Sequence, residues 1–234
     1  MAEVEHHPSA LRNRQPILEQ LLRICGADAQ GLALEVASGT GCHVEAFAPA
    51  FPNLTFQPSE YVVVGVDSEE RAAEYGKIGS RRGLPELENI DGVGCTKFAN
   101  VLPAVALDVS APWSDWPSSV RAKEGEHTLV FCSNTLHISP WECTTGLAAG
   151  AGKALAKEGK LLIYGPFKVN GNFVGEDGGA GNANFDASLR QRNPLWGIRD
   201  LEEVASVAAK AGLTLHEKVA MPANNFLLHF IKTE

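Results

Sequence analysis

Residues 32–43 read L-A-L-E-V-A-S-G-T-G-C-H. The run from Leu32 to Ala37 has the length and composition of a buried strand. Two glycines, two positions apart, follow it directly. Val44, Phe47 and Ala48 then recur at helical spacing, so the stretch predicts a strand over 32–37, a tight turn and a helix over 42–50, limited by Pro49 and Pro52. A strand, a Gly-x-Gly turn and a helix present main-chain N–H groups and a helix N-terminus to a ligand, and glycine lets another group approach the backbone closely. The amides of Ser38, Gly39, Thr40 and Gly41 are therefore expected to clasp a ligand. The alternative is a strand–helix turn that binds nothing. The third glycine of a dinucleotide fingerprint is missing, its place taken by Val44.

Working outward, residues 16–25 (PILEQLLRIC) predict a helix that starts at Pro16 and stops at Gly26. Residues 54–60 (LTFQPSE) and 61–67 (YVVVGVD) both read as strands ending in an acid, and only one can be the second strand of the sheet. A helix is expected over 69–79, and a mixed loop over 80–98. Strands are expected at 101–109, 127–134 and 160–167, with a small-residue helix over 141–159 between the last two. This alternation argues a parallel α/β sheet. Residues 168–184 are rich in Gly and Asn and predict a functional or mobile loop, with a lid reaching to 200. A helix over 199–212 follows, with Asp200 as cap and Gly212 as stop. The closing strands, LTLHEKVA and NFLLHFIK, are joined by M-P-A-N and should pair antiparallel.

The whole chain of 234 residues reads as a single domain. Its formal net charge of −8, with no basic stripe, argues against nucleic acid as a partner. No run approaches the roughly 18 apolar residues of a membrane span. The five cysteines form no C-x-x-C pair, and the first fourteen residues hold no apolar core, so a cytoplasmic protein is expected. No metal site is expected.

Glu35 stands four residues before the first glycine. E-x-x-x-G-x-G matches the first motif of class I S-adenosylmethionine-dependent methyltransferases, in which the acid orients the turn. An acid at the end of the second strand can accept both ribose hydroxyls, and Glu60 and Asp67 compete for that role. Asp108, in A-L-D-V, is placed to face an adenine amino group, or is a surface acid. In S-N-T-L-H-I-S-P-W (133–141), Asn134 and His137 follow a strand expected beside the first. His137 is a candidate general base, or a histidine bonded to a loop carbonyl. Arg190, Trp196 and Arg199 could line an acceptor pocket, where arginine would suit an anionic substrate, or could form salt bridges that hold their segment in place.

The strings LEVASGTGCH, LTFQPSE, ALDV, NTLHISPW, YGPF, NFDASLRQRNPLWGIRD and AMPANN, with NRQPIL at 13–18, closely resemble the methyltransferase-like 26 family over nearly the whole chain. The resemblance implies a class I methyltransferase fold: a seven-stranded Rossmann-like sheet, mostly parallel with the last strand antiparallel, and helices on both faces. It implies S-adenosylmethionine as cofactor, held by Arg14, Glu35, Ala37, Ser38, Gly39, Thr40, Gly41, His43, Glu60, Asp67, Asp108, Val109 and Asn134. It favours Glu60 over Asp67 as the ribose ligand, although Glu60 stands where the family usually has Asp and YVVVG reads as an insertion. His137, Tyr164, Phe167, Arg190, Trp196 and Arg199 are expected at a small-molecule acceptor, with His137 and Asn134 catalytic. The expected activity is methyl transfer to that acceptor. The alternatives are a non-catalytic module that keeps the fold and, more remotely, a nicotinamide enzyme.

Overall fold

In a computed structural model, which describes residues 4–62 and 87–233, L-A-L-E-V lies within strand β1 (Gly31–Val36). The chain divides into two compact units, residues 1–108 and 109–234.

In the first unit, β1 pairs in parallel with β2 (Leu54–Glu60), bringing Glu35 opposite Pro58. LTFQPSE is therefore the second strand. The competing run lies outside the described residues from residue 63 onward, as do Asp67 and the helix expected at 69–79. Strand β3 (Val105–Ala106) pairs in parallel with the end of β2 and is much shorter than the nine residues expected. Pro103 supplies no N–H to a ladder, and Val101 makes only an isolated bridge to Phe56.

Helix α1 (Pro8–Cys25) begins eight residues before the expected start and runs through Pro16. His7 caps it by accepting from the Ser9 amide, and Pro8 occupies the first turn, where its missing N–H costs nothing. Asn13, Ile17 and Leu21 lie four apart and all bury. Burial of that face offsets the hydrogen bond lost at Pro16. The glycine turn leads into α2 (Cys42–Phe47), shorter than expected. Helix α3 (Leu87–Val93) forms where a mixed loop was expected and buries Ile90 and Val93.

In the second unit, β4 (His127–Ser133) pairs in parallel with β5 (Leu155–Gly165). The short helix α4 (Ser118–Arg121) precedes β4, and α5 (Trp141–Ala154) connects β4 to β5. Helix α5 ends five residues before Gly159, because Leu155 leaves helical geometry to pair with His127 and start β5. After the two-stranded parallel pair β6 (Phe167–Lys168) and β7 (Arg199–Asp200), separated in sequence by α6 (Ala180–Arg192), comes α7 (Leu201–Lys210). Asp200 caps α7 by accepting from the amides of Glu202 and Glu203, as expected. Strands β8 (Leu213–Met221) and β9 (Asn225–Lys232) pair antiparallel, and β9 also runs antiparallel to β5. The seven-stranded sheet is thus mostly parallel, with the last strand antiparallel.

The Gly/Asn-rich segment is tied by hydrogen bonds to α7 and to the β8–β9 turn. The Asn170 amide donates to Glu202 and the Gly171 amide to Asp200. Asp177 accepts from the amides of Gly179 and Gly181, at the start of α6. Asn224, in the β8–β9 turn, donates to Asp177 and accepts from the Glu176 amide. No described helix is long and apolar enough to cross a membrane.

Candidate cofactor turn and acceptor residues

The turn after β1 is built by main-chain ties to β2. Ala37 leaves the strand in left-handed geometry (φ 58°), unusual for a residue with a Cβ. The Ser38 amide then donates to the Ser59 carbonyl at 2.9 Å, and the Gly39 amide to Glu60 Oε2 at 2.6 Å. The Gly41 amide turns back to the Ser38 carbonyl. Three of the four amides expected to clasp a ligand, those of Ser38, Gly39 and Gly41, thus donate within the chain. What the turn offers is space. A Cβ placed on Gly39 would meet no atom of the described residues within 4 Å, whereas one on Gly41 would stand 2.5 Å from Val93 Cγ2. Gly41 is required by packing on α3. Gly39 leaves a face open among the described residues.

Two acids and a histidine lie around the turn. Glu35 is 4% exposed, and its carboxyl oxygens have no hydrogen-bond partner among the described residues. Burial pushes its pKa up to about 8; the Ser38 hydroxyl, which bonds the Glu35 main-chain carbonyl rather than the carboxyl, lies near enough to oppose this, and the charge of Glu60 aids it. His43 Nδ1 lies 3.6 Å from Glu35 Oε1, and burial brings the ring's pKa down to about 4, so a neutral imidazole faces a protonated acid. Glu60 is raised by burial to about 7, against the amides of Gly39 and Tyr61 that favour its charge. Arg14, on α1, is half-buried, 3.9 Å from Glu45 and close enough to Cys42 to perturb its thiol. Asp108 is exposed just beyond β3.

In the second unit, Val109 is buried. Asn134 follows β4 in left-handed geometry (φ 55°) and its amide donates to the Tyr164 carbonyl. His137 is buried in a short 3-10 turn (Leu136–Ile138), with its ring 5.5 Å from that of Phe185. A Cβ on Gly165 would lie 3.6 Å from His137 Nδ1 and 4.0 Å from Asn134 Oδ1, so these two side chains converge over Gly165. Burial, with the guanidinium charges of Arg199 and Arg192, drives the His137 pKa down to about 3. Tyr164 and Phe167 are core residues.

The arginines expected at an anionic acceptor are bonded within the chain. Arg199 donates through Nε to the Leu136 carbonyl and through Nη2 to the carbonyls of Ser139 and Leu195, and it lies over Trp141. Arg190 pairs with Asp186 at 2.7 Å, and Asp186 in turn accepts from the Ile198 amide. Trp196 is buried with Arg192 over its ring.

His6 and Glu45 carry no sequence signal of their own. The structure places His6 Nδ1 2.7 Å from Thr40 Oγ1. The partners lie 34 residues apart, beyond the reach of any local pattern. Among the described residues no cluster of His, Cys, Asp and Glu could hold a metal ion.

The fold recurs in solved structures. An O-methyltransferase family protein from Burkholderia thailandensis matches with a TM-score of 0.64 at 17% identity, over 97% of this chain and 58% of its own. The mitomycin 7-O-methyltransferase MmcR matches with a TM-score of 0.62 at 15% identity, over 93% and 54%. The S-adenosylmethionine-dependent methyltransferase SibL matches with a TM-score of 0.61 at 16% identity, over 97% and 56%. The chain spans little more than half the length of these proteins, and the likeness is one of fold: the seven strands form the Rossmann-like sheet of the methyltransferases. A family model described as "Protein of unknown function (DUF938)" matches residues 4–81 and 85–232, and the chain belongs to that family.

Proposed function

We propose that the chain is an S-adenosylmethionine-dependent methyltransferase acting on a small molecule, in the manner expected from its resemblance to the methyltransferase-like 26 family. One observation carries the reading: the open cradle at Gly39, tied to Glu60 and backed by the buried carboxyl of Glu35. The cradle suits close approach of a ligand to the backbone. A cationic ligand would favour ionisation of the two carboxyls, whose pKa values burial raises to about 8 and about 7. When bound, the cofactor supplies a methyl group on positively charged sulfur. Glu60 is assigned to the ribose, and the Gly39 face to the rest of the ligand. Asn134 and a neutral His137 are assigned to the acceptor, as hydrogen-bonding groups that orient it. Orientation and exclusion of water account for most of the acceleration such a transfer needs.

Calorimetry with S-adenosylmethionine and S-adenosylhomocysteine tests the first half. Transfer of labelled methyl to a metabolite pool tests the second. Binding of neither compound overturns the reading.

The second reading is a non-catalytic module. It is favoured by the commitment of Arg190 and Arg199 to structural contacts. Cofactor binding without transfer to any acceptor would establish it.

A further inference from the structure

The turn is held from a second side, away from β2. Thr40 lies between two left-handed glycines, Gly39 (φ 61°) and Gly41 (φ 79°), and its hydroxyl meets His6 Nδ1 at 2.7 Å. His6 Nε2 lies 3.0 Å from Glu45 Oε2, on the helix that leaves the turn. The His6 side chain is only 8% exposed. Glu45 is also bonded by Lys97 at 2.6 Å and approached by Arg14 at 3.9 Å. Burial opposes its charge, but hydrogen bonds from Lys97 and His6 outweigh this and hold it below the usual carboxylate range. An ionised carboxylate only accepts, so Nε2 carries the hydrogen. Nδ1 faces the Thr40 hydroxyl, which can either donate or accept and so completes the link.

We propose that His6 is a positioning residue for the cofactor turn, coupling Thr40 in the turn to Glu45 on α2. The inference rests on the reading that this turn holds S-adenosylmethionine. His6 does the opposite job to Glu60. Glu60 fixes the Gly39 amide to the sheet, while His6 fixes the next residue to the N-terminal segment and to α2. With both ties in place the open face at Gly39 is defined before a ligand arrives, which lowers the ordering cost of binding.

The test compares wild type, His6→Ala, His6→Gln, Thr40→Val and the double variant His6→Ala/Thr40→Val. Each is measured by S-adenosylhomocysteine calorimetry and by amide hydrogen exchange at residues 39–42 in the ligand-free protein. Loss of one charge-assisted network should weaken binding by about tenfold in His6→Ala. Exchange at 39–42 should accelerate while that of β9 stays as in wild type. His6→Gln, whose amide oxygen and nitrogen can meet the same two partners, should recover most of the affinity. Thr40→Val should add little in the His6→Ala background, because the two residues act as a pair. Equal affinity and equal exchange in His6→Ala overturn the proposal, as do fully additive losses. If wild type binds no S-adenosylhomocysteine, the cofactor reading falls, and faster exchange in His6→Ala still supports the link from His6 to the turn.

Discussion

The Gly39 amide donates to Glu60 Oε2 at 2.6 Å, so the turn after β1 is locked to the last residue of β2. The other carboxylate oxygen accepts from the Tyr61 amide at 2.9 Å. Glutamine can accept only one of these bonds and turns an NH₂ toward the other donor. Glu60→Gln should therefore cost about 1–3 kcal/mol of stability, the penalty of one unsatisfied buried amide. Thermal unfolding checks this, and calorimetry should show weaker S-adenosylhomocysteine binding in the same variant. An unchanged melting temperature would mean that the carboxylate does not hold the turn.

The two glycines of the turn should respond differently to the same added methyl group. In Gly39→Ala the Cβ meets no atom of the described residues, so the stability cost is that of the left-handed backbone, about 1–2 kcal/mol. The methyl group occupies the cradle, and cofactor affinity should fall steeply. Gly41→Ala meets the same backbone penalty and also drives its Cβ to 2.5 Å from Val93, so it should unfold at a lower temperature than Gly39→Ala. Matched affinities for Gly39→Ala and wild type would remove the cradle from the binding site.

Arg199 should behave as a brace. Its guanidinium holds the carbonyls of Leu136, Ser139 and Leu195, which fixes the segment carrying His137. Lysine keeps the charge but cannot reproduce a planar fork that donates to three separated acceptors. Arg199→Lys should lose about 1–3 kcal/mol of stability through the carbonyls left unpaired. A wild-type melting temperature in Arg199→Lys, with a selective loss of an anionic acceptor, would return this arginine to the acceptor site.

Where the pattern was local, it was legible. The run L-A-L-E-V-A with its glycines marked β1 and the turn, Asp200 marked the start of α7, and LTLHEKVA-MPAN-NFLLHFIK marked the antiparallel pair. Where long-range burial decided, the sequence misled. Pro16 looked like a helix start because its cost is local, while the benefit of burying Asn13, Ile17 and Leu21 is not. Leu155 reads as helical because nothing nearby reveals its partner His127. The same limit applies at the site. Spacing singles out Glu35 and the glycines, but the contacts of Arg199 depend on carbonyls of Leu136 and Ser139, some sixty residues earlier, and those of His6 on a threonine 34 residues away.

The buried acids should also set the pH dependence of stability, with a sign that can be worked out. Glu35 has its pKa raised from 4.5 to about 8, so between these values the folded state holds a proton that the unfolded chain has lost. Stability from this group therefore falls as pH rises through that window. Glu60, raised to about 7, acts in the same direction over a narrower range. His43 and His137 oppose them. Their pKa values are lowered from 6.5 to about 4 and about 3, so the unfolded chain binds the extra protons and stability rises with pH up to about 6.5. Above 6.5 only a small remainder of the histidine contribution is still gained, while the larger carboxyl contribution is being lost. The ligand-free protein should therefore be less stable at pH 8 than at pH 6.5. Glu35 alone accounts for on the order of 2 kcal/mol of this, since one pKa unit is worth about 1.4 kcal/mol. Glu35→Gln, which removes the titration but keeps the shape, should flatten most of the decline. Chemical unfolding of the two proteins at pH 6.5, 7.2 and 8.0 measures both slopes. A wild-type stability that is level across the interval, or a decline just as steep in Glu35→Gln, would show that Glu35 is already ionised in the folded chain.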